Sequence, residues 1–88
     1  MKLVYVGAVW CPGCLVMKPR VKKLLQEKPD IELINYDYDY NSDLIEKYNI
    51  GKILPVIIIS NNNTEFTRLV GEHTLEELVR VVNMYEKR

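Results

Sequence analysis

The chain has 88 residues, 48% of them apolar and 27% charged, which suits one globular domain (1–88) whose core is large enough to fold alone with little margin. Lys plus Arg and Asp plus Glu balance at 12 each, so net charge gives no pull toward nucleic acid or an anionic membrane. No apolar run approaches the roughly 20 residues that cross a bilayer, and Leu3-Val4-Tyr5-Val6 is too short for a signal-peptide core.

Leu3 to Gly7 is a continuous apolar run, the pattern of a strand buried on both faces. Gly7-Ala8-Val9 then forms a loop that presents Trp10 and Cys11. Helical spacing runs from Pro12 to about Lys28 and stops at Pro29-Asp30. Pro12 suits the first helical turn, where no N–H is needed. Cys14, Met17, Val21 and Leu24 fall on one stripe of that helix, expected to face the core. Lys18, Arg20, Lys22, Lys23 and Lys28 read as its solvated face. The second strand runs from Ile31 to Asp37, ending where Asp weakens strand propensity. Tyr36, Tyr38 and Tyr40 read as a half-buried packing cluster.

Asn41, Ser42 or Asp43 caps a short helix to about Tyr48, ended by Asn49-Ile50-Gly51. Ile53 to Ile59 is the strongest strand, with Pro55 inside it. Ser60 to Thr64 is a turn, and Glu65 to Val70 returns antiparallel. Gly71 breaks that strand. Thr74-Leu75-Glu76-Glu77 is a capping box, opening a helix with Leu75, Leu78, Val79, Val82 and Tyr85 on one face. The order β-α-β-α-β-β-α predicts an α/β fold, one right-handed βαβ unit plus a hairpin in a four-stranded mixed sheet with helices on both faces.

Both cysteines lie in Trp10-Cys11-Pro12-Gly13-Cys14, at the head of the first helix. A helix N-terminus stabilises a thiolate through its free N–H groups and dipole. The thiolate is the nucleophile of disulfide exchange. Cys11 is expected at the exposed mouth and Cys14, one turn on, facing inward, so that the first attacks and the second resolves. A structural bridge between them would close almost no chain and add little stability. A zinc site usually needs four ligands, and His73 is the one further customary ligand, so no metal is expected. A CxxC in a βα setting reads as a redox pair. His73 reads as a capping or exposed residue rather than a base. Two cysteines without a targeting signal point to a reducing compartment, the cytoplasm.

Trp10-Cys11-Pro12-Gly13-Cys14, with Pro19 five residues beyond the second cysteine and Pro55 later, resembles the active site of the thioredoxin superfamily. The resemblance covers essentially the whole chain. It implies the minimal thioredoxin fold, near glutaredoxin length, without the extra N-terminal strand and helix of full thioredoxins. It implies a thiol–disulfide oxidoreductase that reduces protein disulfides, with Cys11 and Cys14 catalytic and no cofactor beyond that redox-active pair. Trp10, Pro12, Gly13 and a cis Pro55 support the site. Substrate would lie as an added strand on Leu54, with Trp10, Pro55 and Gly71 around it. The implied partners are protein disulfides and a thioredoxin reductase or similar donor, with ribonucleotide reductase a further candidate, for a monomer.

The departures are informative. Pro12-Gly13 replaces the Gly-Pro usual in thioredoxins and the Pro-Tyr usual in glutaredoxins. Tyr5 stands where thioredoxins carry a buried Asp that helps move the resolving thiol's proton, and Leu33 where a Lys often accompanies it. That proton is then left to water, the Tyr5 hydroxyl or the substrate. Ala8 and Val9 stand where glutaredoxins place a glutathione-binding Lys, and Gly71-Glu72-His73-Thr74 lacks their Gly-Gly and following Asp. Trp10 is the thioredoxin-like choice. The alternatives are a glutaredoxin using glutathione, or a CxxC dimer binding zinc or an iron–sulfur cluster.

Overall fold

The computed structural model describes residues 1–61 and 64–86. The elements come in the predicted order: β1 (Lys2–Gly7), α1 (Pro12–Glu27), β2 (Glu32–Asp37), α2 (Ser42–Lys47), β3 (Val56–Asn61), β4 (Thr64–Val70) and α3 (Leu75–Glu86). The four strands form one sheet, ordered β2-β1-β3-β4. β1 pairs parallel with β2 and antiparallel with β3, and β4 closes the hairpin antiparallel to β3.

Alternation along β1 and β3 divides the interior into two layers. Leu3, Tyr5, Ile57 and Ile59 pack against Met17, Val21 and Leu24 of α1 and Leu78 and Val82 of α3. On the opposite face Val4, Val6, Val56 and Ile58 pack with Ile50 and Leu54, and with Ile45 and Tyr48 at α2. Each fully buried Leu, Ile or Met stabilises the fold by roughly 1.5–3 kcal/mol relative to exposure. Both cysteines join the second layer, where β1 ends and α1 begins.

The capping box forms as read: the Glu77 N–H donates to Thr74 Oγ1 and the Thr74 N–H to Glu77 Oε1, both at 3.1 Å. Two boundaries differ from the sequence reading. β3 starts at Val56 rather than Ile53, because Pro55 has no N–H for a ladder. In the Asn49-Ile50-Gly51 turn that ends α2, the left-handed residue is Asn49, at φ 55°, a conformation Asn tolerates. The hairpin strands take in Ser60, Asn61 and Thr64, which the sequence reading gave to the turn; Asn62 and Asn63 of that turn lie outside the described residues. Between Ile59↔Thr67 and Ser60↔Glu65 the register shifts, placing Phe66 as the extra residue of a bulge. Its ring stacks on Tyr85 of α3 at 5.2 Å. Among the described residues no helix is long and apolar enough to cross a membrane.

Candidate active site

Cys11 is itself the N-cap of α1, with extended backbone, and Pro12 follows in the first turn. The Cys11 N–H donates to the Ala8 carbonyl and the Cys14 N–H to the Cys11 carbonyl, both at 3.2 Å, so the loop and the first turn close as one unit. Both cysteines are free thiols. Cys14, Met17, Val21 and Leu24 are the buried stripe of α1, as their spacing predicts. The expectation of an exposed Cys11 is corrected: only 5% of the residue is accessible, because it packs in the layer that holds Ala8, Ile50 and Leu54.

The cis Leu54–Pro55 peptide lies against the start of α1. A Cβ on Gly13 would stand 3.3 Å from the Leu54 carbonyl oxygen and 3.5 Å from both Pro55 Cδ and Glu72 Cγ, so the absent side chain lets the loop close on the helix. Gly71, at φ 84°, donates its N–H to the Pro55 carbonyl at 2.8 Å, and this positive φ favours glycine. The Leu54 backbone makes no hydrogen bond among the described residues. The residues next to Cys11 and Leu54 in the chain form an exposed apolar rim: Val9, Trp10 and Ile53 are 81%, 56% and 64% exposed.

Trp10 is held by a contact that the sequence does not announce. Its Nε1–H donates to Asp39 Oδ2 at 2.8 Å, and its ring meets the edge of Tyr38 at 6.2 Å. Tyr36 and Tyr38 pack on the second layer, as a half-buried cluster should, whereas Tyr40 is exposed. Asn41 spends its side chain on the Asp37 N–H at 2.9 Å instead of capping α2. The loop before α3 is tied to α1, with Arg20 donating to the His73 carbonyl at 2.7 Å and the His73 N–H to Met17 Sδ at 3.3 Å. His73 directs Nδ1 to Glu77 at 3.1 Å and Nε2 to the Val70 carbonyl at 3.2 Å, so both ring nitrogens are engaged away from the thiols. Glu72 and Asp39 are the site neighbours that sequence reading missed; an exposed acid in a loop carries no periodic signal.

Beneath the pair, the Tyr5 hydroxyl donates to the Cys14 carbonyl at 3.3 Å. Burial pushes the Cys14 thiol pKa up, and the adjacent Cys11 sulfur pushes the same way. The Ala8 backbone and the Tyr5 hydroxyl pull it back. Burial also raises the Tyr5 pKa, helped by Cys14, so this phenol stays protonated. Among the described residues no three His, Cys, Asp or Glu side chains are grouped to hold a metal.

Comparison with known proteins fits this geometry. The family model for thioredoxin matches residues 1–84. Thioredoxin of Chlamydia pneumoniae is 30% identical over 83 residues, covering 94% of this chain and 80% of that protein. Thioredoxin H5 of Oryza sativa is 33% identical over 65 residues, but the match spans only 47% of its length and 74% of this chain. The structure of a malaria parasite thioredoxin-2 superposes with a TM-score of 0.88 at 27% identity, covering 94% of this chain and 81% of that one. These relatives favour the thioredoxin reading over the glutaredoxin and metal-binding alternatives. The chain belongs to the thioredoxin family, and it is a thiol–disulfide oxidoreductase.

Proposed function

We propose that the protein reduces protein disulfides, with Cys11 as the attacking thiol and Cys14 as the resolving one. Cys11 thiolate bonds to one sulfur of the substrate disulfide and the other sulfur leaves, taking a proton from solvent. Cys14 then loses its proton, bonds to Cys11 Sγ and displaces the second substrate sulfur, which leaves as a thiol. Two electrons pass from the pair to the substrate, and the protein is left as the Cys11–Cys14 disulfide. The observation that carries this reading is the unpaired Leu54 backbone beside a covered dithiol, under the apolar rim of Val9, Trp10 and Ile53. An extended peptide would pair with Leu54 as an added strand and bring its cysteine to Cys11. Pro55 and Gly71 fix that edge, and Pro12 and Gly13 let it approach the helix start.

A thioredoxin reductase or a similar donor would restore the dithiol, with no other cofactor. Ribonucleotide reductase is one candidate substrate, and a monomer in the reducing cytoplasm is the setting proposed. The test is reduction of insulin disulfides. Activity should be strong with NADPH and a thioredoxin reductase and weak with glutathione as the only reductant. Strong glutathione-dependent activity on hydroxyethyl disulfide, without insulin reduction, would overturn the proposal.

A further inference from the structure

Tyr5 is buried on β1, two residues before Gly7, and its hydroxyl meets the Cys14 carbonyl at 3.3 Å. Gly7 makes that meeting possible. A Cβ there would stand 2.9 Å from Tyr5 Cε1, 3.2 Å from Cys14 Sγ and 3.4 Å from the Tyr5 hydroxyl oxygen. The phenol and the resolving sulfur therefore border the same small volume above a residue without a side chain. On the reading that Cys11 attacks and Cys14 resolves, we propose that Tyr5 is a switchable donor for the resolving step: its O–H holds the Cys14 carbonyl while the thiol is protonated and turns to the Cys14 sulfur as the thiolate forms. The turn is chiefly a rotation about the Cζ–O bond.

In the resolving step the Cys14 S–H bond breaks and its proton passes to solvent. The sulfur bonds to Cys11 Sγ, and the Cys11–substrate S–S bond breaks with its electron pair on the substrate sulfur. Tyr5 is neither oxidised nor deprotonated. Burial keeps its proton in place, so it serves as a neutral donor and not as a base. The polarity matters. A carboxylate in this position can take the thiol proton itself, whereas a protonated hydroxyl leaves that proton to solvent and stabilises the thiolate by a charge-assisted hydrogen bond. A groove of about 310 Å³ reaches Tyr5, lined by Gly7, Ala8, Val9, Lys18 and Asn35, and it meets the apolar rim only at Val9. The titratable or charged groups placed around the pair are Cys11 and Lys18 on the Cys14 side, Tyr5 of β1, Tyr36 and Asp37 of β2 and Glu72 before α3.

The test is stopped-flow reaction of the reduced protein with dithiobis(nitrobenzoate), kept below the protein concentration. The first release of aromatic thiolate reports attack by Cys11, and the second reports resolution by Cys14. In Tyr5→Phe the first phase should stay within about twofold, while the second slows at least about tenfold, the scale of one hydrogen bond to a charged group. The pH midpoint of the second phase should move up. Ring-fluorinated tyrosine at position 5 keeps the shape and is a stronger donor, so it should restore or speed that phase. An unchanged second phase in Tyr5→Phe, equal slowing of both phases, or a second phase slowed by the fluorinated ring would each overturn the role of Tyr5. Loss of the first phase in Cys14→Ser would instead overturn Cys11 as the attacking thiol.

Discussion

Gly7 shows how much of this site depends on atoms that are absent. It ends β1 against the Tyr5 ring and the Cys14 sulfur, in space that a single methyl group would take. A buried phenol cannot swing away as a surface chain would, because interiors are close-packed. Gly7→Ala should therefore destabilise the fold by roughly 1–3 kcal/mol, the usual scale of overpacking. Denaturant titration of the reduced protein checks this, and an unchanged midpoint would mean that Tyr5 has room to retreat. Gly13 plays a gentler version of the same part, since its neighbours stand at 3.3 Å and beyond. Neither role is legible in the sequence, where both are simply glycines beside cysteines. Cys11 was misread for a related reason. Helix position is set locally, but the cover over that position comes from Leu54 and Ile50, about forty residues away along the chain.

Among the elements, α3 was the most legible, because its start signal is written in four consecutive residues and its apolar stripe has the helical period. The cap also gives it a pH signature. His73 beside Glu77, together with the Thr74 N–H and hydroxyl, holds the Glu77 carboxyl down to about 2 from 4.5. A lowered carboxyl pKa stabilises the folded state above the ordinary carboxyl range, and that stability is lost as the pH falls toward 2. Glu77→Gln should therefore be less stable than the parent near neutral pH, and the difference should fade by about pH 2. Thermal unfolding of both proteins across this range measures it. A difference that stays constant with pH would place the effect in shape rather than charge. β3 was legible in type but not at its start, since the apolar run Ile53-Leu54 continues past the point where Pro55 stops the ladder.

At the scale of the molecule, the mixed four-stranded sheet with helices on both faces followed from the element order and the βαβ rule, while the strand order β2-β1-β3-β4 comes from the structure. The dithiol could be located from the sequence because both cysteines are adjacent in it. Its surroundings could not, because they converge from β1, the Leu54–Pro55 loop, the Gly71 turn and the Asp39 loop. The account makes the two sulfurs unequal: Cys11 caps the helix, while Cys14 lies inward with its pKa raised by burial. Trapping tests that inequality most directly. Cys14→Ser and Cys11→Ser proteins would each be mixed with a disulfide-bonded protein substrate and the covalent adducts resolved by non-reducing gel and intact mass. The account predicts a stable mixed disulfide through Cys11 in Cys14→Ser and little or none in Cys11→Ser; an adduct forming mainly through Cys14 would contradict it.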